Sequence, residues 1–426
     1  MMPPPVPRHR CLRSKLRVHI YEKLGVRPLI NARSFSTKAG GCALPREVLE
    51  AMSQAAECCV RMDELQSAAS DVISRATGAE AGIVTSGAAA ALTLGAAACL
   101  AGLDVNRMNR LPDTNGMPDE FIVHRAHRND YDHAVRASGA RFVEVGFGYY
   151  TFAYEVASAI TSRTAAMYYQ AGVNQGVLPL SEYVEIAHRH SLPVLVDAAA
   201  EMPPAFNLNA FIRAGADLVA FSGGKHLQGP QATGILCGRR ELIMSAALQH
   251  QDMDVFPQTW PLRALIEDGT LTGPPHHGIG RGFKVGKEEI AGLVAALDLY
   301  QKRDFVAERA RWTADLECIA AGIKGIPGLS ARLVYPQPSG KEVPGLTVSV
   351  DGAAAGMDAN AVINALQKGE PPICVFEKLA DAGDIVFFPE ALRPGEAIVI
   401  ARRLRAVLES ADEATASKTP AATRPG

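Results

Sequence analysis

With 426 residues, a formal net charge of −2 and 48% hydrophobic side chains, the chain is long enough for two or three domains around a large core. The near-neutral balance argues against a broad basic surface for nucleic acid, and the composition is that of an ordinary globular protein rather than a membrane protein. The eight cysteines (Cys11, Cys42, Cys58, Cys59, Cys99, Cys237, Cys318 and Cys374) form no C-x-x-C pair, and several stand in apolar runs, so they read as buried, reduced thiols of a cytoplasmic protein.

Residues 1–20 hold five Lys/Arg and no acid, without an apolar stretch. They read as a disordered tail, with a mitochondrial-type targeting peptide as the alternative. From Pro45 to Ile290 short apolar runs alternate with helical patterns, the signature of a mostly parallel α/β sheet. Strands are expected at Gly82–Thr85, Glu120–His124, Arg141–Val145, Ala165–Tyr169, Leu192–Asp197, Leu218–Ser222 and Gly234–Cys237. Asn106–Glu120, with Pro112, Asn115-Gly116 and Pro118, reads as a loop. Glu288–Tyr300 and the charged stretch to Lys324 read as one long helix leading out of a large domain at 45–300. Strands at Leu329–Tyr335, Leu346–Val350, Ile373–Phe376 and Asp384–Phe388 follow, with a helix near Met357–Lys368 and a last one from Gly395 to Glu409. They suit a small α+β domain at 301–410, and 411–426 reads as a second disordered tail.

Three strand ends carry the chemistry. Ala81-Gly-Ile-Val-Thr85-Ser86-Gly87-Ala88 runs from a strand into an alanine-rich helix, too weakly apolar to span a membrane. Small residues at that junction leave backbone N–H groups free for a phosphate at the positive helix end, with the Ser86 hydroxyl as a further donor. Leu192–Asp197 ends on a carboxylate, where open α/β sheets bind ligands. Asp217-Leu-Val-Ala-Phe-Ser222-Gly223-Gly224-Lys225-His226 puts an amine beside a buried strand, where burial makes it nucleophilic. Ser222 is a second hydroxyl donor, and the two glycines are expected to let a ring and its phosphate approach the backbone. Singly, Lys225 also reads as a surface lysine and Asp197 as a helix N-cap. In this order they suit pyridoxal 5'-phosphate: a Schiff-base lysine, an aspartate for the pyridine nitrogen and a phosphate turn.

Further segments sharpen this reading: Gly25-Val-Arg-Pro-Leu-Ile-Asn-Ala32, Arg61-Met-Asp-Glu-Leu-Gln66, Arg125-Ala-His-Arg-Asn-Asp-Tyr-Asp132, Gly280-Arg-Gly-Phe-Lys-Val-Gly-Lys-Glu-Glu289 and Leu392-Arg-Pro-Gly-Glu396. With Thr85–Ala90 they resemble the fold-type-I pyridoxal phosphate enzymes, and more narrowly the selenocysteine-synthase-like (SelA-like) group, in the D-glucosaminate-6-phosphate ammonia-lyase branch. The resemblance implies His127 stacked on the cofactor ring. It implies Gln170 on the phenolic oxygen, with Asn174 as competitor, and a phosphate loop of Thr85, Ser86, Gly87 and Ala88. Arg281 and Lys284 become candidates for an anionic substrate, and Asp63 and Glu64 for the mouth of the site, reached from a neighbouring subunit of a homodimer or larger assembly. Two departures stand out. After Asn31-Ala32 the chain has Arg33-Ser34-Phe35 where the group continues Gly-Thr, so the segment at 21–44 that covers the active site shapes a different pocket and makes Arg33 a substrate candidate. Pro371-Pro-Ile-Cys-Val-Phe-Glu377 lacks an arginine that relatives tend to carry, so a sugar-phosphate substrate is not carried over.

The function these features favour is α,β-elimination of the ammonia-lyase type on a small or sugar-derived amino acid, with Lys225 as anchor and base. Racemisation and amino transfer use the same residues and stay open. A transferase acting on seryl-tRNA is less favoured, because about thirty residues before the core motif are too few for a tRNA-gripping domain. A phosphate-loop nucleotide binder needs Ser or Thr after the lysine, where His226 stands. No metal is expected, since His276-His277 and His188-Arg-His190 lack a third ligand at suitable spacing.

Overall fold

The computed structural model describes residues 20–416 apart from 149, 255, 338 and 339, so the basic tail at 1–19 and residues 417–426 lie outside it. The first strand, β1 (Ile30–Ala32), pairs in parallel with β11 (Ile373–Val375) of the C-terminal region. It is three residues long, next to Pro28 and polar Asn31, and has no alternation from which to read a strand.

All seven strands expected in the large domain form one sheet: β2 (Ala81–Thr85), β3 (Glu120–His124), β4 (Arg141–Val145), β5 (Thr164–Gln170), β6 (Val194–Asp197), β7 (Leu218–Ser222) and β8 (Gly234–Gly238). Their order is β2-β8-β7-β6-β5-β3-β4, and only β8 runs antiparallel to its neighbours. Near-continuous apolar sequence follows from burial on both faces. On one face Met167, Val194, Val196, Val219 and Phe221 pack under flanking helices. On the other, Tyr168, Leu195, Leu218 and Leu236 pack against the apolar helix Ala88–Ala101. Full burial of each such leucine contributes about 1.5–3 kcal/mol.

The predicted long helix is two, Lys287–Gln301 and Phe305–Gly322, because the Asp304 carboxylate caps the second by accepting from the N–H groups of Val306 and Ala307. Within the expected loop 106–120 the first turn is helical, Val105–Arg110, capped likewise by Asp104. The small domain carries an antiparallel sheet, β12 (Asp384–Phe387), β10 (Gly345–Val350) and β9 (Leu329–Val334), with the helices Phe305–Gly322, Ala359–Lys368 and Glu396–Ala416 contributing to its core. The last helix runs to Ala416, into the stretch expected to be a tail, through an Ala- and Glu-containing sequence of good helix propensity. β1 and the residues after it join this domain: Ala32 accepts from the Phe388 N–H, and Arg33 bridges to Phe388. No helix among the described residues is long and apolar enough to cross a membrane. Of the cysteines, Cys237 and Cys374 are buried, but Cys58 and Cys59 are exposed, since they follow a helix end rather than a core strand.

Candidate active site

The carboxyl ends of the parallel strands carry the expected residues side by side. Thr85 pairs with Gly234 and Gly234 with Ser222, while Ala220, two residues earlier on β7, pairs with Asp197 and Asp197 with Gln170, so two short rows offset by two residues on β7 cross β2, β8, β7, β6 and β5. At about 4.8 Å per strand, the rows bring the phosphate turn, the lysine turn and the aspartate to one crevice.

Asp197 is 4% exposed. Its Oδ1 accepts from the Ala199 N–H at 2.9 Å and its Oδ2 from the Tyr168 hydroxyl at 3.4 Å. Burial pushes its carboxyl above the usual range, against the Ala199 N–H, the charge of Lys225 and the Tyr168 hydroxyl. No cation among the described residues lies within ion-pair distance of it. A buried carboxylate in that state fits a cationic ring nitrogen.

Lys225 lies in the tight turn after β7, which Gly223 N–H→Thr233 O (2.8 Å) and Gly229 N–H→Gly223 O (2.9 Å) close. Burial depresses its ammonium, partly offset by the carboxylate of Asp197. The glycines before it serve the chain's own packing rather than the approach of a ring. A Cβ on Gly223 would stand 2.2 Å from Thr233 Oγ1, and one on Gly224 would stand 2.7 Å from the Gln231 backbone. At the other end of these rows, Gly87 opens the helix Ala88–Ala101 with φ +120 and no side-chain cap. Its first N–H groups are therefore unpaired within the helix, and no atom lies within 4 Å of where a Cβ on Gly87 would stand. The Ser86 and Ser222 side chains are half-buried, and no described residue bonds either hydroxyl. The buried carboxylate without a cation at ion-pair distance among the described residues, the buried amine and the uncapped helix end fit pyridoxal phosphate.

Other expectations need correction. Thr85 is wholly buried and its hydroxyl donates to the Gly87 carbonyl at 2.9 Å, so it shapes the turn and does not face a ligand. His127 is also wholly buried. Its Nε2 donates to Val173 O at 3.0 Å, its Nδ1 accepts from the Gln170 N–H at 3.2 Å, and burial lowers its pKa to about 4. Packed against His124 and Tyr169, the neutral ring has no face for a cofactor and acts as a strut beneath Gln170. The Gln170 amide donates to Ala171 O (3.2 Å) and accepts from Asn129 (2.9 Å) and Tyr168 (3.3 Å).

The expected substrate residues are mostly neutralised. Arg33 pairs with Glu377 at 2.9 Å, Asp63 with Arg61 at 2.7 Å and Arg281 with Asp252 at 2.9 Å, while Lys284 is exposed. Folding also supplies third ligands that spacing did not suggest for His277. Asp252, Asp254 and His277 gather on the surface, where Arg281 already bonds Asp252.

Three groups missed in the sequence act on the Lys225–His226 turn. Glu201 places its carboxylate over Gly172, and burial raises its pKa. Glu390, from the small domain, accepts from Ser34 Oγ at 2.9 Å and lies 3.5 Å from His226 Nε2. Burial opposes its ionisation, but His226 and the charge of Lys341 outweigh that and hold its carboxyl low. The third, Lys341, comes from the β9–β10 connection. Phe35 seals one side, its ring 4.6 Å from that of His226.

Comparison with known proteins agrees with this geometry. The family model "SelA: L-seryl-tRNA selenium transferase" matches residues 130–254. The chain is 35% identical over 400 residues to 5'-C-glycyluridine monooxygenase-decarboxylase of a Streptomyces species, covering 91% of this chain and 92% of that one. It is 31% identical over 400 residues to D-glucosaminate-6-phosphate ammonia lyase of Salmonella typhimurium, covering 92% and 99%. The solved structure of a D-glucosaminate-6-phosphate ammonia-lyase superposes with a TM-score of 0.78 at 30% identity, over 93% of this chain and 99% of that one. Cysteine desulfurase CsdA of Escherichia coli, at 18% identity and TM-score 0.51 over 87% and 92%, shares the fold. On sequence and architecture together, the chain belongs to the SelA-like family of fold-type-I pyridoxal phosphate enzymes, in the branch that holds D-glucosaminate-6-phosphate ammonia lyase.

Proposed function

We propose that this protein binds pyridoxal 5'-phosphate and catalyses α,β-elimination on a small amino acid, releasing ammonia and a 2-oxo acid. The observation that carries the reading is the buried Asp197, with no cation of the described residues within ion-pair distance, on the strand next to the Lys225 turn and at the same sheet edge as an uncapped helix end. Asp197 holds the ring nitrogen. Ser86, Ser222 and the N–H groups after Gly87 hold the phosphate. When bound, the cofactor supplies an electron sink for negative charge at Cα. Lys225 anchors it and moves the proton at Cα, a task suited to an amine whose pKa burial has lowered. Tyr168 and the Ala199 N–H would hold the Asp197 carboxylate in place for the ring nitrogen. Phe35 and the buried wall around His226 limit water at the reacting carbon.

Near-complete coverage of the ammonia lyase supports elimination over racemisation or amino transfer. A second reading, loss of the substrate carboxyl group, is favoured by the 35% identity to the monooxygenase-decarboxylase. Assembly as a homodimer or larger is part of the proposal; the exposed aromatics Phe147, Tyr150, Phe152 and Tyr154, close in sequence, suit an interface.

The test is reconstitution. The protein takes up pyridoxal phosphate, shows a visible band, and after borohydride carries the adduct on the Lys225 peptide. A panel of D- and L-amino acids, hydroxy-amino acids and sugar amino acids is then followed for ammonia and 2-oxo acid. Protein that remains colourless with added cofactor refutes the reading. Carbon dioxide release without ammonia moves it to the decarboxylase side.

A further inference from the structure

The lysine turn is fastened from two sides at one residue, His226. Its backbone carbonyl accepts from Arg303 Nη1 at 2.6 Å, in the link between the helices Lys287–Gln301 and Phe305–Gly322. Its ring stands edge-to-face with that of Phe35, 4.6 Å between centroids, and its Nε2 is 3.5 Å from Glu390 Oε1. Glu390 follows β12 in the small domain, and the same oxygen accepts from Ser34 Oγ at 2.9 Å. Segments 33–35, 225–228 and 388–390, remote in sequence, thus meet at a carboxylate and an imidazole that are each 3% exposed.

Stability alone does not account for this joint. A carboxylate taken out of water is unfavourable unless donors surround it. Among the described residues Glu390 Oε2 has no hydrogen bond, and neither has His226 Nε2. The backbone is strained on both sides of the contact. Of the three non-glycine residues in the left-handed region among the described residues, Ser34 (φ 66) and Gln228 (φ 56) belong to the joined segments. Asn31 Nδ2 holds the first by donating to Ser34 O at 2.8 Å, and the Gln228 N–H holds the second by donating to Lys225 O at 2.9 Å. Strain and unmet polar atoms where separate segments meet point to an arrangement kept for what it positions. With the carbonyl and the ring of residue 226 both held, the chain direction at Lys225 is held too. A slight approach of the small domain turns the 3.5 Å contact into a full hydrogen bond.

We propose that Glu390 is a positioning residue for Lys225: through the His226 ring it ties the lysine turn to the small domain and to segment 33–35, so that Lys225 is set in place only when these are docked. The inference rests on the reading of Lys225 as the reactive amine. His226 is the donor in this contact. Burial lowers its pKa to about 3, with Lys341 and Arg303 acting in the same direction and Glu390 against them, so the neutral ring offers its Nε2–H to the carboxylate. The charges acting on Lys225 itself are those of Asp197, Lys341 and Glu201, beneath the larger effect of burial.

The experiment is acetylation of Lys225 by acetic anhydride across pH in the full-length, cofactor-free protein, read on the Lys225 peptide by mass spectrometry. The midpoint of the rate profile reports how far the amine is kept from water. Glu390→Gln keeps the shape and an oxygen for Ser34. The midpoint should rise by about one pH unit towards the ordinary lysine value, because a loosened turn lets water reach the amine. His226→Leu should give the same rise, and Glu390→Gln should add nothing to it. His226→Gln, whose amide N–H replaces Nε2–H, should keep the wild-type midpoint. Ser34→Gly removes the hydroxyl and accepts the left-handed backbone; it should move the midpoint upward as well, and it keeps the test readable if Glu390→Gln fails to fold. A lower melting temperature with an unchanged midpoint overturns the proposal, by making Glu390 a structural residue only. A fall in the midpoint overturns it too, since direct loss of a nearby negative charge lowers a lysine pKa. If the protein takes up no cofactor, the functional reading fails by itself, and the labelling still decides whether Glu390 positions Lys225.

Discussion

Replacing Asp197 by Asn tests the cofactor assignment at its centre, because it removes charge and little else. The side chain is 4% exposed, and the amide oxygen can still accept from the Ala199 N–H. What disappears is the anion facing the ring nitrogen. Leaving one partner of a buried pair uncompensated costs about 3–5 kcal/mol. At about 1.4 kcal/mol per factor of ten, turnover should fall on the order of a hundred- to a thousandfold. In the cofactor-free protein the sign reverses. Burial raises the folded pKa of Asp197 above its unfolded value, so the carboxylate destabilises the fold once pH exceeds the ordinary aspartate range. Asp197→Asn should therefore be at least as stable as wild type at pH 7 without cofactor. That advantage should shrink towards zero below the ordinary range, where both folded and unfolded Asp197 are protonated. The assay pairs exchange of the Cα hydrogen in deuterated buffer with thermal melts of both forms across pH. Turnover within threefold of wild type would refute the assignment and leave Asp197 only holding the turn at Ala199.

Lys225→Met should give a colourless protein. Without cofactor it should melt higher than wild type, with the gain largest at low pH, because a depressed lysine pKa destabilises the fold wherever the unfolded amine is protonated. A gain that grows with pH would contradict the burial argument. Glu390→Gln should lower stability by about 1–3 kcal/mol through loss of the charged partner of Ser34 and His226. The difference should vanish in acid, since the lowered pKa of Glu390 stabilises the fold above the usual carboxylate range and that contribution is lost as pH falls through the folded value. A true substrate should yield ammonia and 2-oxo acid in equal amounts without an added oxo acid, and accumulation of the amine form of the cofactor would indicate amino transfer instead. A seryl-tRNA should form no tight, salt-resistant complex in a shift assay, given the formal net charge of −2.

The geometry of the proposed cofactor side of the cleft was readable in sequence because it is built from strand ends. Buried strands are short apolar runs, and the residues at and just past the carboxyl end of each run face the crevice, so Asp197 and Lys225 declared themselves by position. Roles within that row were less legible. Whether Thr85 faces a ligand or its own turn depends on one hydroxyl torsion, and its sequence neighbours say nothing about it. His127 looked like a stacking ring, but two hydrogen bonds and complete burial make it a support, and only the register of β3 against β5 creates them.

The substrate side was hidden for a different physical reason. Its members, Ser34, Phe35, Lys341 and Glu390, lie more than 300 residues apart at the extremes and sit in no regular pattern. They meet because a three-residue strand, β1, pairs with β11, which ties the N-terminal segment to the small domain and carries Ser34 to Glu390. Such a pairing gives no periodicity to read: Arg33-Ser34-Phe35 stood out only as a departure from the family pattern, and nothing in the sequence pointed to Glu390 or Lys341. Charge in the sequence is no guide by itself: Arg33, Asp63 and Arg281 attract notice there but find carboxylate or guanidinium partners nearby on folding. Candidate anion binders are therefore separated by their unmet electrostatics after folding.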